Sequence, residues 1–143
     1  MKYTTFDSVK DKFYSLIITG ESLPGALVDE WLGSAMGEYE LELGEKLEYE
    51  EVEIQPEGSD GGESLKQKRF TTELSSFQKS LLGRYMQREF ITRELSRYSK
   101  ITGIDSKDEK VSGLQATKYT LRSELEMAQT SIAELVFKMK KVS

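Results

Sequence analysis

The sequence contains neither cysteine nor histidine. Without cysteine there can be no disulfide bond and no thiolate chemistry. Without histidine, the commonest general base and the commonest zinc, copper and haem ligand are missing. An enzyme can still work with Asp, Glu, Lys or Tyr, but no recognisable catalytic motif built from these residues is present. We therefore expect no enzymatic activity, no cofactor and no metal ion.

Long apolar runs are also missing, since unbroken runs reach only three residues, as in Leu16-Ile17-Ile18. A transmembrane helix needs about 20 apolar residues. The first 18 residues are interrupted by Asp7 and Asp11 and lack an apolar core of secretory length. We expect a soluble, cytosolic protein that neither carries a signal peptide nor enters a membrane.

The composition indicates one domain with much exposed surface. A chain of 143 residues is long enough to bury a core without disulfides or metals. Its apolar fraction of 37% is slightly low and its charged fraction of 31% slightly high. This balance is typical of elongated helices or of a subunit that completes its core by association. We predict a single domain over residues 1–143.

Apolar residues that recur every three or four positions predict four helices. We place them at about residues 5–18, 24–42, 75–100 and 107–140. Thr4 is expected to cap the first helix. Ser75 with Gln78, and Ser106 with Glu109, have the capping-box form that begins a helix.

The second predicted helix has a broad apolar face, so we expect it at the centre of the fold. Gly25, Gly33 and Gly37 recur at multiples of four on one side of this helix. Each costs about 1 kcal/mol relative to Ala in a helix interior. Either another backbone approaches closely at these positions, or they are tolerated weak points.

After the second helix, the apolar period changes to two, which is the signature of a strand. Apolar residues alternate with Glu from Leu47 to Ile54, and the stretch that follows, PEGSDGGES, has the composition of a turn. We predict a β-hairpin inserted over about residues 46–72, with a long mobile tip. The alternation slips at Glu50-Glu51, where we expect a bulge.

The last predicted helix carries a heptad pattern over four heptads. Its a and d positions are Leu114, Lys118, Leu121, Leu125, Ala128, Ile132, Leu135, Met139 and Val142. This seam could face another subunit in a coiled coil, or the third helix of the same chain. The second alternative is favoured because the two helices match in length and the ITGIDS connection is short.

These elements define a mainly α fold: a four-helix arrangement with a long C-terminal helical hairpin and a β-hairpin insertion. The predicted core includes Trp31, Leu32, Leu121, Leu125, Ile132 and Leu135.

Charge is divided unevenly along the chain. Residues 1–65 carry 16 Asp/Glu and 4 Lys, whereas residues 66–143 carry 16 Lys/Arg and 9 Asp/Glu. Such asymmetry shapes the field around a molecule and therefore its choice of partners. A molecule with two poles of opposite charge can attract a copy of itself head to tail.

The acidic half is densest from Glu38 to Glu63, which contains 11 acidic residues and one lysine. Carboxylates alone can hold Ca²⁺ or Mg²⁺, but this stretch lacks the regular ligand spacing of a calcium loop. It could be a solvated strand face, or a wall that repels DNA phosphates and lets DNA slide past. The residues assigned to this acidic face of the hairpin, a candidate channel lining, are Glu48, Glu50, Glu51 and Glu53.

The basic half has a stripe on the third predicted helix, formed by Arg84, Arg88, Arg93 and Arg97. Arginines four apart share one helical face. The stripe could bind nucleic acid, could dock on the acidic half of a neighbouring copy, or could be solvated. For any single arginine the solvated face is favoured. Of the two binding roles we favour docking between copies, because it accounts for both charged halves, whereas the whole chain is acidic, with a formal net charge of −5.

The start of the chain resembles the head–tail connector (adaptor or neck) proteins of tailed bacteriophages. The resemblance rests on a short amphipathic helix followed by Leu23-Pro24, Leu27, Trp31-Leu32, Ala35 and Tyr39. It covers about the first 45 residues as a motif and the remainder in general layout, including small size, acidity and an inserted β-hairpin or loop.

The resemblance implies a homo-oligomeric ring of about twelve subunits in the virion, assembled in the host cytoplasm. Such a ring docks on the portal protein, binds a further neck or tail component, and lets DNA pass without specific binding. The family has no catalytic residues. Two alternatives stay open: a dimeric coiled-coil protein that regulates or accompanies nucleic acid, and a metalloenzyme that uses carboxylates alone.

Overall fold

The computed structural model describes residues 3–17, 22–54, 65–104 and 110–142, with the backbone alone over 99–104, 110–116 and 142. The elements in chain order are α1 (Phe6–Leu16), α2 (Gly25–Leu43), β1 (Tyr49–Ile54), β2 (Leu65–Phe70), α3 (Ser76–Ile104) and α4 (Lys110–Val142). This order confirms the predicted fold class, mainly helical with an inserted β-hairpin and a long last helix.

The centre of the fold is α3, against which α1, α2 and α4 all pack. Its buried residues extend around much of the helix and include Leu81, Leu82 and Met86. The prediction that the second helix is central is wrong. The apolar breadth of α2 comes partly from side chains that the fold does not bury fully, such as Met36 at the edge of the core and the exposed Leu41.

The heptad seam of α4 faces α3 within the same chain. Ala128 and Ile132 are buried, and Leu121, Leu125 and Leu135 are half-buried and pack against the core. The favoured alternative, antiparallel packing of the last two helices, is therefore confirmed. Packing on α3 uses the face that an intermolecular coiled coil would need.

Side-chain caps begin α1 and α3, and the cap of α1 lies one residue from the predicted position. Thr5, rather than Thr4, caps α1, and its Oγ1 accepts a hydrogen bond from the Ser8 amide at 3.1 Å. The predicted capping box at α3 is confirmed. Gln78 Oε1 accepts from the Ser75 amide at 2.7 Å, and Ser75 Oγ accepts from the Gln78 amide at 3.2 Å.

The second predicted capping box, Ser106 with Glu109, lies outside the described residues. So does the predicted mobile tip of the hairpin, since the description of the chain stops at Ile54 and resumes at Leu65.

The two strands pair antiparallel in continuous register, from Tyr49 opposite Phe70 to Ile54 opposite Leu65. The predicted bulge at Glu50-Glu51 is wrong. The strand keeps its pairing while its apolar residues change face, since Tyr49 and Val52 project from opposite faces of the ribbon.

The hairpin is attached to the helices at its base. Phe70 is fully buried, with its ring centroid 4.8 Å from that of Phe6. Thr4 joins the base from the other direction, because its carbonyl accepts from the Phe70 amide and its hydroxyl accepts from the Leu74 amide, both at 2.8 Å. At the far end, Ile54 and Leu65 are 41% and 62% exposed.

Helix α1 packs tightly on α3 at Gly83, which is buried. A Cβ atom added there would lie 3.1 Å from Lys12 Cγ and 3.3 Å from Leu16 Cδ1. At Gly25, Gly33 and Gly37 an added Cβ meets nothing within 4 Å. Close backbone approach is therefore wrong as an explanation of those three glycines.

Candidate functional site

The acidic and basic halves of the chain partly neutralise one another within the fold, as in the Arg88–Glu38 and Arg69–Glu50 ion pairs. The helix α2 carries five acidic and no basic side chains, and it packs on the basic α3. In the hairpin, the three glutamates of β1 lie opposite Arg69, Lys68 and Lys66 of β2. The halves that differ in charge along the sequence are thus layered against each other rather than held apart as two poles.

The four arginines of the predicted stripe do not form one open surface. Arg88 pairs with Glu38 of α2, and its guanidinium lies 5.4 Å from the centre of the Tyr85 ring. Arg93 and Arg97 both contact Glu94, at 3.5 and 3.2 Å.

Arg84 opens on a cavity, and its Nη1 donates a hydrogen bond to Gln87 Oε1 at 2.9 Å. A role between subunits stays a prediction for all four arginines.

The predicted acidic face is a surface of mixed charge. Glu48 is exposed just before β1, and Glu50 is half-buried and paired with Arg69 at 2.9 Å. Glu51 and Glu53 are exposed, but each lies opposite a lysine in the register. A role in lining a DNA channel stays a prediction.

The predicted core residues lie where the helices meet. Trp31 and Leu32 are buried, as is Ile132, whereas the other α4 members of the set are half-buried. Trp31 contacts Phe13 and Phe90 edge to face, with ring centroids 5.8 and 6.3 Å away. These aromatic contacts join α1, α2 and α3.

A groove of about 700 Å³ lies between α2 and the hairpin. Gly33 and Gly37 line its α2 side, where the absence of side chains leaves the space open. Its apolar lining includes Met36, and the exposed Ile54 and Leu65 reach it from the hairpin. Charged residues at its margin include Lys10 and Asp29, which pair with each other.

A second, smaller cleft lies where α1 and α4 leave one side of α3 uncovered. It has a volume of about 220 Å³, and its charged lining consists of Lys12 from α1, Arg84 from α3, and Glu134 and Lys138 from α4. Three cations thus converge with a single carboxylate. Sequence reasoning missed Lys12 and Lys138 because they are far apart in the chain and belong to no motif.

Two buried tyrosines lie between α2 and α3. Burial and the nearby carboxylates of Glu38 and Glu42 raise the pKa of Tyr85 to about 12. Burial also raises the pKa of Tyr39, whose hydroxyl accepts a hydrogen bond from Gln78 Nε2 at 2.9 Å. A tyrosine with a raised pKa is fully protonated at neutral pH, so the site gains no base from either residue.

Among the described residues, no three acidic side chains lie close enough together to hold a metal ion. Within the same parts of the chain, no helix is both long and apolar enough to cross a membrane. No protein family, curated protein or solved structure matches the chain.

Proposed function

We propose that this protein is a structural subunit that assembles head to tail into a ring and connects a bacteriophage capsid to its tail. The proposal follows the resemblance of the first 45 residues to head–tail connector proteins. The observation that supports it best is the hairpin, which is attached to the helices at its base and carries exposed apolar side chains at Ile54 and Leu65 beside an open groove.

This arrangement favours association because two-stranded hairpins are marginally stable without further packing. Removing exposed apolar area from water contributes about 25 cal/mol per Å². A neighbour that covers the outer half of the hairpin would therefore stabilise both the contact and the hairpin itself.

The hairpin and the helical body offer different surfaces, so the contact would be heterologous. Heterologous contacts close into a ring when the rotation between copies permits, and otherwise extend into a filament. In the proposed assembly the portal protein binds one side of the ring and a further neck or tail component binds the other. DNA passes through the channel without specific binding.

The first test is the native mass of the protein and its appearance by negative-stain microscopy, alone and with candidate portal complexes. A ring, alone or on the portal, is the expected result. A particle that stays a dimer, does not bind portals and shifts in mass on adding DNA would replace the proposal with a dimeric protein that regulates or accompanies nucleic acid.

A second test changes the hairpin without touching the core. Leu65→Asp places a charge on a side chain that is 62% exposed, so the monomer should keep its fold and lose its assembly. Met127→Asp is the matched control, because Met127 is 69% exposed on α4, away from the groove lining. Equal assembly of the two variants in sedimentation would show that the hairpin is not part of the contact.

A further inference from the structure

We propose that the cleft formed by Lys12, Arg84 and Lys138 receives carboxylates from a neighbouring copy of this chain. The carboxylates are those of the acidic segment at the C-terminal end of α2, residues 40–48. The inference rests on the proposed function, because it names the charged contact that would join the subunits of the ring.

The cleft exists because three helices are not enough to surround α3. Side chains join α1 to α2, through Phe13 against Trp31, and α2 to α4, through Glu42 near Lys140. The remaining side of α3, between α1 and α4, is left open. This gap exposes Ser80 and Arg84 of α3 to the cleft.

Glu134 is the one carboxylate among the described residues of the cleft lining, against three cations, and it forms no ion pair with any of them. Neither Lys12 nor Lys138 forms an ion pair with another described residue, and Arg84 donates to the neutral Gln87. Ser80 and Ser131 add two hydroxyl groups to the lining. Ammonium, guanidinium and hydroxyl donors around one cavity match the acceptor oxygens of carboxylates.

The acidic segment has the complementary excess. Glu40, Glu45 and Glu48 are exposed, and none forms an ion pair with another described residue. The segment turns sharply at Gly44, the left-handed C-cap of α2 with φ 68°, and so presents its carboxylates from a bend rather than along a helix face. The described part of the protein thus carries one surface with unpaired cations, the cleft, and one surface with unpaired carboxylates, the acidic segment.

The two surfaces lie at the same end of the helical body but on different sides. Lys140 approaches Glu42 of the acidic segment, at 3.9 Å, whereas Lys138 lines the cleft. Residues two apart on a helix point about 200° away from each other. Copies joined through these surfaces therefore lie side by side, which is the arrangement that a ring requires.

The proposal is tested by charge reversal with a matched control. Arg84→Glu combined with Lys138→Glu reverses two cations of the cleft. Arg122→Glu combined with Lys141→Glu makes the same charge change at two exposed positions of α4 outside the cleft lining. Sedimentation should show self-association at least tenfold weaker for the cleft variant than for the control.

Restoration of assembly gives the second readout. Adding Glu45→Lys and Glu48→Lys to the cleft variant exchanges the two charges of the contact and should return self-association to within a few-fold of wild type. Circular dichroism of every variant checks that the monomer is folded. The wild-type contact should also weaken between 0.1 M and 1 M salt, because the screening length falls from about 10 Å to about 3 Å.

The outcomes separate this inference from the proposed function. A wild-type protein that forms no ring, alone or with portals, overturns the proposed function. A wild-type ring that the cleft variant forms as readily as the control overturns the cleft contact alone. A cleft variant that assembles normally but loses binding to inorganic phosphate or to DNA assigns the cleft to phosphate groups and likewise overturns the proposal.

Discussion

The Tyr85 hydroxyl is a buried polar group for which the described residues provide no hydrogen-bond partner. Leaving such a group unsatisfied costs about 1–3 kcal/mol. The Tyr85 ring is nevertheless well placed, since it is almost fully buried and contacts the Arg88 guanidinium. The Tyr85 ring therefore stabilises the folded state, whereas its hydroxyl destabilises it.

Tyr85→Phe should raise the free energy of unfolding by about 1 kcal/mol, because it removes the unpaired hydroxyl and keeps the ring. Tyr39→Phe is the matched control, since it deletes a hydroxyl that is hydrogen-bonded to Gln78 and should lower the free energy of unfolding by a similar amount. Urea denaturation of both variants measures the difference. A Tyr85→Phe protein as destabilised as the control would mean that the hydroxyl has a partner.

The same tyrosine predicts how stability depends on pH. Its pKa is about 12 in the folded protein and about 10 when unfolded, so the folded state holds its proton more tightly. The resulting stabilisation is complete below pH 10 and is lost as pH rises to 12, because the unfolded chain ionises first. The free energy of unfolding should be lower at pH 11 than at pH 9, and the decrease should be smaller in Tyr85→Phe than in the wild type. An equal decrease in both proteins would mean that another group causes the loss of stability at alkaline pH.

At the scale of elements, α1 packs on α3 at Gly83, where there is little room for a side chain between the helices. Gly83→Leu should lower the free energy of unfolding by about 1–3 kcal/mol, the usual cost of overpacking, because α1 would have to move away. Gly33→Ala should instead raise it by about 1 kcal/mol, since helix propensity improves and nothing lies within 4 Å. Thermal unfolding of both variants compares the two. Similar effects at the two positions would contradict the close packing at Gly83.

Periodicity predicted the helices and the hairpin because it reports which face of an element is apolar. It could not report what covers that face, and so it placed α2 rather than α3 at the centre. The break in alternation at Glu50-Glu51 wrongly predicted a bulge for a related reason. The hairpin is exposed on both faces at its far end, so apolar residues can change face without any change in strand pairing. Gly83 gave no signal, because its role depends on a helix that is distant in sequence.

At the scale of the whole molecule, the charge asymmetry of the sequence was a poor guide to the surface. Summing charge along the chain ignores which segments pack together, and here α2 folds on α3 and β1 on β2. The predicted basic stripe included Arg84, which lines the cleft, but it did not include Lys12 and Lys138. Their meeting requires the packing of three helices, and no pattern along the sequence encodes it.

The position of α3 also sets the order in which the molecule can form. Proteins are synthesised from the N-terminus, so residues 1–64 are made before β2 and α3. This leading half carries 16 acidic residues and 4 lysines, and both its helices and its strand pack on segments that come later. We expect the nascent chain to stay extended by its own repulsion until α3 emerges. The two halves then collapse together in a single event rather than folding one after the other.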